Sequence, residues 1–210
     1  MSITYTELKN AVVGQLEIDA TDADRYELDG NLAAAQTGIL NALPFRYLKN
    51  AITTTKANLT NAIHLYQWPS DFIRLVEIWF SHDDSIDEAD GKHGNKALVH
   101  DGENSYIKNI AAIATKRYPV VDLNVEDGYG VYPVPSQSMT NGIRIRYVWR
   151  IPNPTSTQDC LLEYDLRNLM VYRATSLCAL VDEFNVQLSA KMEDLYAKEL
   201  QTFLPKRGKV

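Results

Sequence analysis

Apolar positions recur at helical spacing at both ends of the chain, over residues 6–43 and 161–203. The residues between follow a strand period and are rich in Tyr, Trp and Pro. Leu8, Val12 and Leu16, four apart behind Thr6 as an N-cap, predict a first helix ending near Ile18. The polar run 19–27 reads as a hinge, after which Leu28, Leu32, Ala35, Ile39 and Leu43 predict a second helix stopped by Pro44. Near the other end, Leu162, Leu166, Met170, Leu177, Val181 and Phe184 predict a third helix, with a break at 183–185. Leu188, Met192, Leu195, Tyr196 and Phe203 predict a fourth, ending before Pro205. Two such pairs cannot bury their stripes alone. The expected fold is therefore α+β, a four-helix bundle built from N- and C-terminal helical pairs with an inserted antiparallel β-region.

That insertion has its own punctuation. Thr-rich residues 51–60 suit an exposed strand, and Trp68-Pro69-Ser70-Asp71-Phe72 forms a rigid corner before a strand over 73–80, with Ser70 or Asp71 free to bond neighbouring amides. Residues 81–105, acidic and glycine-containing, predict a mobile or partner-ordered loop. A short helical stripe through Ile110 and Ile113, a strand over 120–125 and a glycine turn at Gly128 and Gly130 follow. Pro133 and Pro135 confine 131–135 to a sheet edge or strand end. After an Asn141-Gly142 turn, Ile143, Ile145, Tyr147, Trp149 and Ile151 alternate with Arg144, Arg146, Val148 and Arg150, giving one core face and one face carrying three arginines. Pro152 and Pro154 make a stiff exit. The expected divisions are 1–44, a helical pair; 45–158, the β-rich region; 159–204, the second helical pair; and 205–210, a basic tail.

A chain of 210 residues that is 45% hydrophobic fits one core plus one insertion. Its net charge of -6 argues against wrapping nucleic acid phosphates. Two cysteines, Cys160 and Cys178, are too few to read as a disulfide framework and point to assembly in a reducing cytoplasm. No segment reaches the ~20 apolar residues that cross a bilayer, and the first residues lack a basic-then-apolar signal, so no membrane role is expected.

Candidate chemistry is thin. His82, Asp83, Asp84, Asp87, His93, His100 and Asp101 are metal-ligand types, but their spacing matches neither a calcium loop nor a His-Glu-x-x-His helix. Cys178 lies on an apolar stripe with no His near it in sequence, as a packing residue does. Gly128-Tyr129-Gly130 lacks a third glycine and a following helix. No cofactor is implied. Arg144, Arg146 and Arg150 fit a solvated strand face, or else a phosphate backbone or acids on a neighbouring subunit, and of the two functional readings the overall acidity favours subunit contact. The aromatics, Trp68 and Phe72 among them, divide between core and interface in a way the sequence leaves open. A metal-dependent enzyme using the His/Asp loop and a β-rich carbohydrate-binding module stand as alternatives.

The succession Tyr66-x-Trp68-Pro69-Ser70-Asp71-Phe72-x-Arg74-Leu75, then 128–135, then Ile145-x-Tyr147 running into Pro152, then Asp159-Cys160-Leu161-Leu162 as a helix start, resembles tail-adaptor (head-to-tail connector) proteins of tailed bacteriophages. The match covers most of 64–203; Trp68 stands where that family usually has Leu, and the loop 81–105 is longer and more charged than its pattern. The resemblance implies a structural protein of the virion neck and no reaction. It implies a ring, usually twelve-fold, between the portal protein and the next tail component (nozzle or tail tube), through which the genome passes without specific binding. It further implies that the C-terminal segment, Phe203, Leu204, Lys206, Arg207 and Lys209, grips the portal. Arg144, Arg146, Arg150, Trp68 and Phe72 are the expected contacts between copies.

Overall fold

A computed structural model describes residues 2–87, 89–101, 110–123, 125–181 and 185–204. The chain divides into two compact units, one made of 1–52 and 150–210, the other of 53–149.

The first unit begins with strand β1 (Ser2–Ile3) and helix α1 (Tyr5–Leu16). Thr4, not Thr6, caps α1: its hydroxyl accepts from the Glu7 N–H while the Glu7 carboxylate accepts from the Thr4 N–H at 2.9 Å, a reciprocal capping box. Leu8, Val12 and Leu16 are its buried positions, as the spacing predicts. A 3₁₀ turn (Ala20–Tyr26) leads to α2 (Leu28–Ala42). The polypeptide returns to this unit as β10 (Cys160–Glu163), followed by α4 (Arg167–Val181) and α5 (Val186–Phe203).

The expected four-helix bundle with an appended insertion is not what forms. The architecture is α+β, but α4 is a hub: it packs against α1, α2 and α5, and buries Leu169, Met170, Val171, Ala174, Cys178 and Ala179 around much of its circumference. Of the predicted α5 stripe only Met192 is buried, because the α4–α5 seam is polar: Arg173 pairs with Glu193, Ser176 Oγ donates to Glu193 at 2.8 Å, and Ser176 meets Ser189 at 3.1 Å. Leu177 is half-buried and Val181 exposed, whereas Leu166 and Met170 are fully inside. Phe184 lies outside the described residues. The predicted helix start at Asp159 is instead a strand, β10 pairing antiparallel with β1.

The second unit is no small insertion. It contains two four-stranded sheets with their own core. One runs in the order β2 (Ile52–Leu59), β9 (Met139–Trp149), β4 (Phe72–Phe80), β5 (Asn95–Lys96). The other runs β3 (Leu65–Gln67), β8 (Gly128–Tyr132), β7 (Val120–Asp122), β6 (Leu98–His100). The region is also not purely antiparallel, since β6 and β7 run parallel. Ile78, Phe80, Ile143 and Ile145 from the first sheet meet Val121, Tyr129 and Val131 from the second in one apolar cluster. A short helix α3 (Ile110–Ile113) falls on the predicted Ile110/Ile113 stripe.

The chain crosses between the sheets at β2–β3, β3–β4, β5–β6 and β8–β9, and the second and third crossings are the shortest. The proline corner carries β3 into β4, closed by the Phe72 N–H donating to the Pro69 carbonyl at 3.0 Å. Buried Ala97 joins β5 to β6, its N–H donating to Ile78 while the Leu98 N–H donates to Pro119, both at 2.9 Å.

Gly128 and Gly130 are strand residues rather than a turn. A Cβ at Gly128 would stand 2.3 Å from the Tyr66 carbonyl oxygen on the paired strand β3, so close backbone approach excludes every larger residue. Asn141-Gly142 likewise sits inside β9, with Asn141 at φ 53°. β8 ends at Tyr132, directly before Pro133, as the missing donors require. The described part of the 81–105 loop carries β5, β6 and an antiparallel bridge between Asp87 and Lys92.

Candidate functional site

The motif residues converge on an aromatic column. Tyr66 stacks on Tyr129 at 5.7 Å between centroids, Trp68 lies 4.4 Å from Tyr129, Phe72 stacks on Trp68 at 4.1 Å, and Tyr147 follows at 5.7 Å. Edge-offset and stacked rings at these separations add to area burial. The column links strands of both sheets through the corner between them, and the Tyr147 hydroxyl donates to Asp71 at 2.8 Å. Trp68 and Phe72, expected as contacts between copies, are thus half-buried members of this unit's own packing.

The arginines of β9 do not share one environment. Arg144 is only 8% exposed, its guanidinium 3.7 Å from the centroid of Trp79 on the adjacent strand. Burial holds its pKa below the usual guanidinium range, against the pull of Glu77. Arg146 is exposed and lies 3.6 Å from Glu77, which also receives Lys96 at 2.5 Å. Arg150 is exposed, one residue past the strand. Strand register puts Glu77, Trp79, Lys96, Arg144 and Arg146 on one face of the sheet, opposite the Ile78, Phe80, Ile143 and Ile145 core. Alternation in β9 reveals two of these cations; Lys96 and the Trp79 support come from strands distant in sequence.

At the chain end, Phe203 meets Tyr47 edge-on at 5.1 Å, Arg46 lies 4.7 Å over the Tyr47 ring, and Arg46 donates to the Phe203 carbonyl at 3.4 Å. Leu204 is half-buried, its N–H donating to Leu200 at 3.2 Å. Lys206, Arg207 and Lys209 lie outside the described residues.

The metal-type residues are not brought together: among the described residues no group of three or more His, Cys, Asp or Glu could hold an ion. His82 is buried, which lowers its pKa, with Lys116 adding to the effect and Asp83 opposing it. His100 Nδ1 lies 3.1 Å from Asp122, within the sheet. Asp83 and Asp84 are engaged by Lys116 at 2.7 Å and Lys92 at 3.4 Å. Both thiols are buried and pushed up to about 11, chiefly by desolvation. Cys160 donates to Gln36 at 3.6 Å, and the Gln36 amide donates to the carbonyls of Ile151 and Pro152, fixing the stiff exit after β9. Among the described residues no helix is long and apolar enough to cross a membrane.

What these residues assemble is two cored units carrying charged and aromatic surface, the build of a structural protein that works by contact. A family model described as SU10 adaptor protein matches residues 3–208, and the chain belongs to that family. It is a bacteriophage adaptor with a structural role. A search of curated proteins finds no match to the chain.

Proposed function

We propose that this adaptor is the repeating subunit of a ring in the virion neck, dodecameric in the manner of connectors, assembled in the host cytoplasm between the portal protein and the next tail component, a nozzle or tail tube protein. DNA passes through the ring without specific binding. The observation that carries the reading is the family match over 3–208, which spans the helical unit and the two-sheet unit alike. The net charge of -6 supports a non-stick passage, since each cation on a phosphate adds attraction that a sliding genome must break. Exposed Arg146 and Arg150 serve contacts between copies. Leu204 and the basic residues Lys206, Arg207 and Lys209 serve the portal, with Phe203 anchored on Tyr47 as the point from which they depart. Native mass measurement of the protein, alone and with the portal, tests the ring: a closed oligomer is expected, and a monomer that leaves the portal unbound overturns it. Deleting 205–210 is expected to leave thermal stability unchanged and weaken portal attachment. Duplex DNA is expected to show no measurable binding at physiological salt.

A further inference from the structure

Two regions of the surface carry opposite charge in excess. On the β2–β9–β4–β5 sheet, the exposed cations Lys96 and Arg146 share the carboxylate of Glu77. The Lys96 and Arg146 side chains are 58% and 49% exposed, so their charge is available to a partner, while Trp79 holds Arg144 beneath them. In the helical unit, residues 17–29 contain six acids and one base, an excess close to the net charge of the whole protein. Glu17, Asp19, Asp24, Glu27 and Asp29 are all exposed, and among the described residues none of them forms an ion pair. In the 81–105 loop, by contrast, Asp84 and Asp83 are already paired with Lys92 and Lys116.

We propose that the Lys96/Arg146 sheet face of one copy docks the acidic 17–29 turn of the next copy. The proposal rests on the ring reading, to which it adds the chemistry of the joint. Two different patches, one basic and one acidic, make a head-to-tail contact, the type of contact that propagates around a ring. A cationic sheet face on an acidic protein attracts other copies of that protein at the acidic turn and repels approaches through like-charged surface, so the pairing sets register as well as encounter rate. Glu77 tempers the patch: it occupies both exposed cations in the free subunit and weakens their reach.

The test is charge exchange, read by sedimentation velocity at low and high salt. Wild-type association should fall as salt screens the contact. Lys96→Glu with Arg146→Glu, and separately Asp24→Lys with Glu27→Lys, should each weaken association by about tenfold or more. An equimolar mixture of the two variants should associate through both unlike pairings, each acidic surface meeting a basic one, and the quadruple variant should recover assembly by itself. Glu77→Gln, which removes the tempering carboxylate, should tighten association, whereas a purely structural role predicts loss. Unchanged thermal unfolding guards each variant against misfolding. Association that ignores all of these changes overturns this joint and leaves the ring standing; a wild type that stays monomeric at every concentration, with the portal as well as without it, overturns both. Duplex DNA binding that disappears in Lys96→Glu with Arg146→Glu would identify phosphates as the occupant and overturn the proposal.

Discussion

Tyr147 donates its hydroxyl proton to Asp71 at 2.8 Å, so the C-terminal end of β9 is tied to the proline corner that switches the chain between sheets. Burial, and then the Asp71 carboxylate, push the phenol up to about 12 from an ordinary value of 10.0. The neutral phenol's preference for the fold is therefore fully present below pH 10.0 and is lost as pH climbs through about 12. Urea unfolding across pH 7 to 12 should show a steady midpoint that falls in the upper part of that range. Tyr147→Phe should cost about 1.5–3 kcal/mol at neutral pH and flatten, without abolishing, the alkaline decline. Tyr5, Tyr66, Tyr129 and Tyr196, also shifted upward mainly by burial, contribute to what remains.

Leu166 and Leu177 separate the observed helical core from the stripe read in sequence. Leu166→Ala leaves a cavity in a fully buried position and should cost about 2–5 kcal/mol. Leu177, half-buried, should cost about 1 kcal/mol. Equal losses in thermal or denaturant unfolding would put Leu177 inside the core after all.

Gly128→Ala should destabilise the two-sheet unit by about 1–3 kcal/mol, at the upper end because the obstacle is the Tyr66 carbonyl, backbone that no rotamer change can move. Gly30→Ala, with open space around its Cβ, is the control and should be neutral or stabilising.

Cys160 and Cys178 should resist a thiol-specific disulfide reagent at mildly alkaline pH, since burial keeps both protonated and covered. Denaturant should release two reactive thiols per chain. Fast labelling of the native protein would contradict the packing around Gln36 and Asn31.

Local periodicity made α1, α2 and β9 legible, because each buries one regular face: Leu8, Val12 and Leu16 on one, Ile143, Ile145 and Tyr147 on another. It failed where the deciding partner is remote. β10 reads as a helix start because its partner is Ser2–Ile3, at the opposite end of the chain. Gly128 reads as a turn because the reason for glycine is Tyr66 on another strand. Two stripes facing each other suggested a bundle, but α4 is buried on several sides and α5 joins it through Arg173, Glu193 and two serines, which no apolar stripe announces. At the candidate site, alternation exposed Arg144 and Arg146 together, while only the register of three strands separates Arg144, covered with Trp79, from Arg146, which reaches solvent beside Lys96.

The pairing of Ser2–Ile3 with Cys160–Glu163 has a consequence for synthesis. A ribosome releases α1 and α2 early, yet their hub, α4, and the partner of β1 are translated only after residue 159. Residues 53–149, contiguous and separately cored, are complete before then and can reach their native packing first. The amino-terminal helices must wait as a tethered apolar arm, and the last quarter of translation is the interval in which a chaperone would matter most.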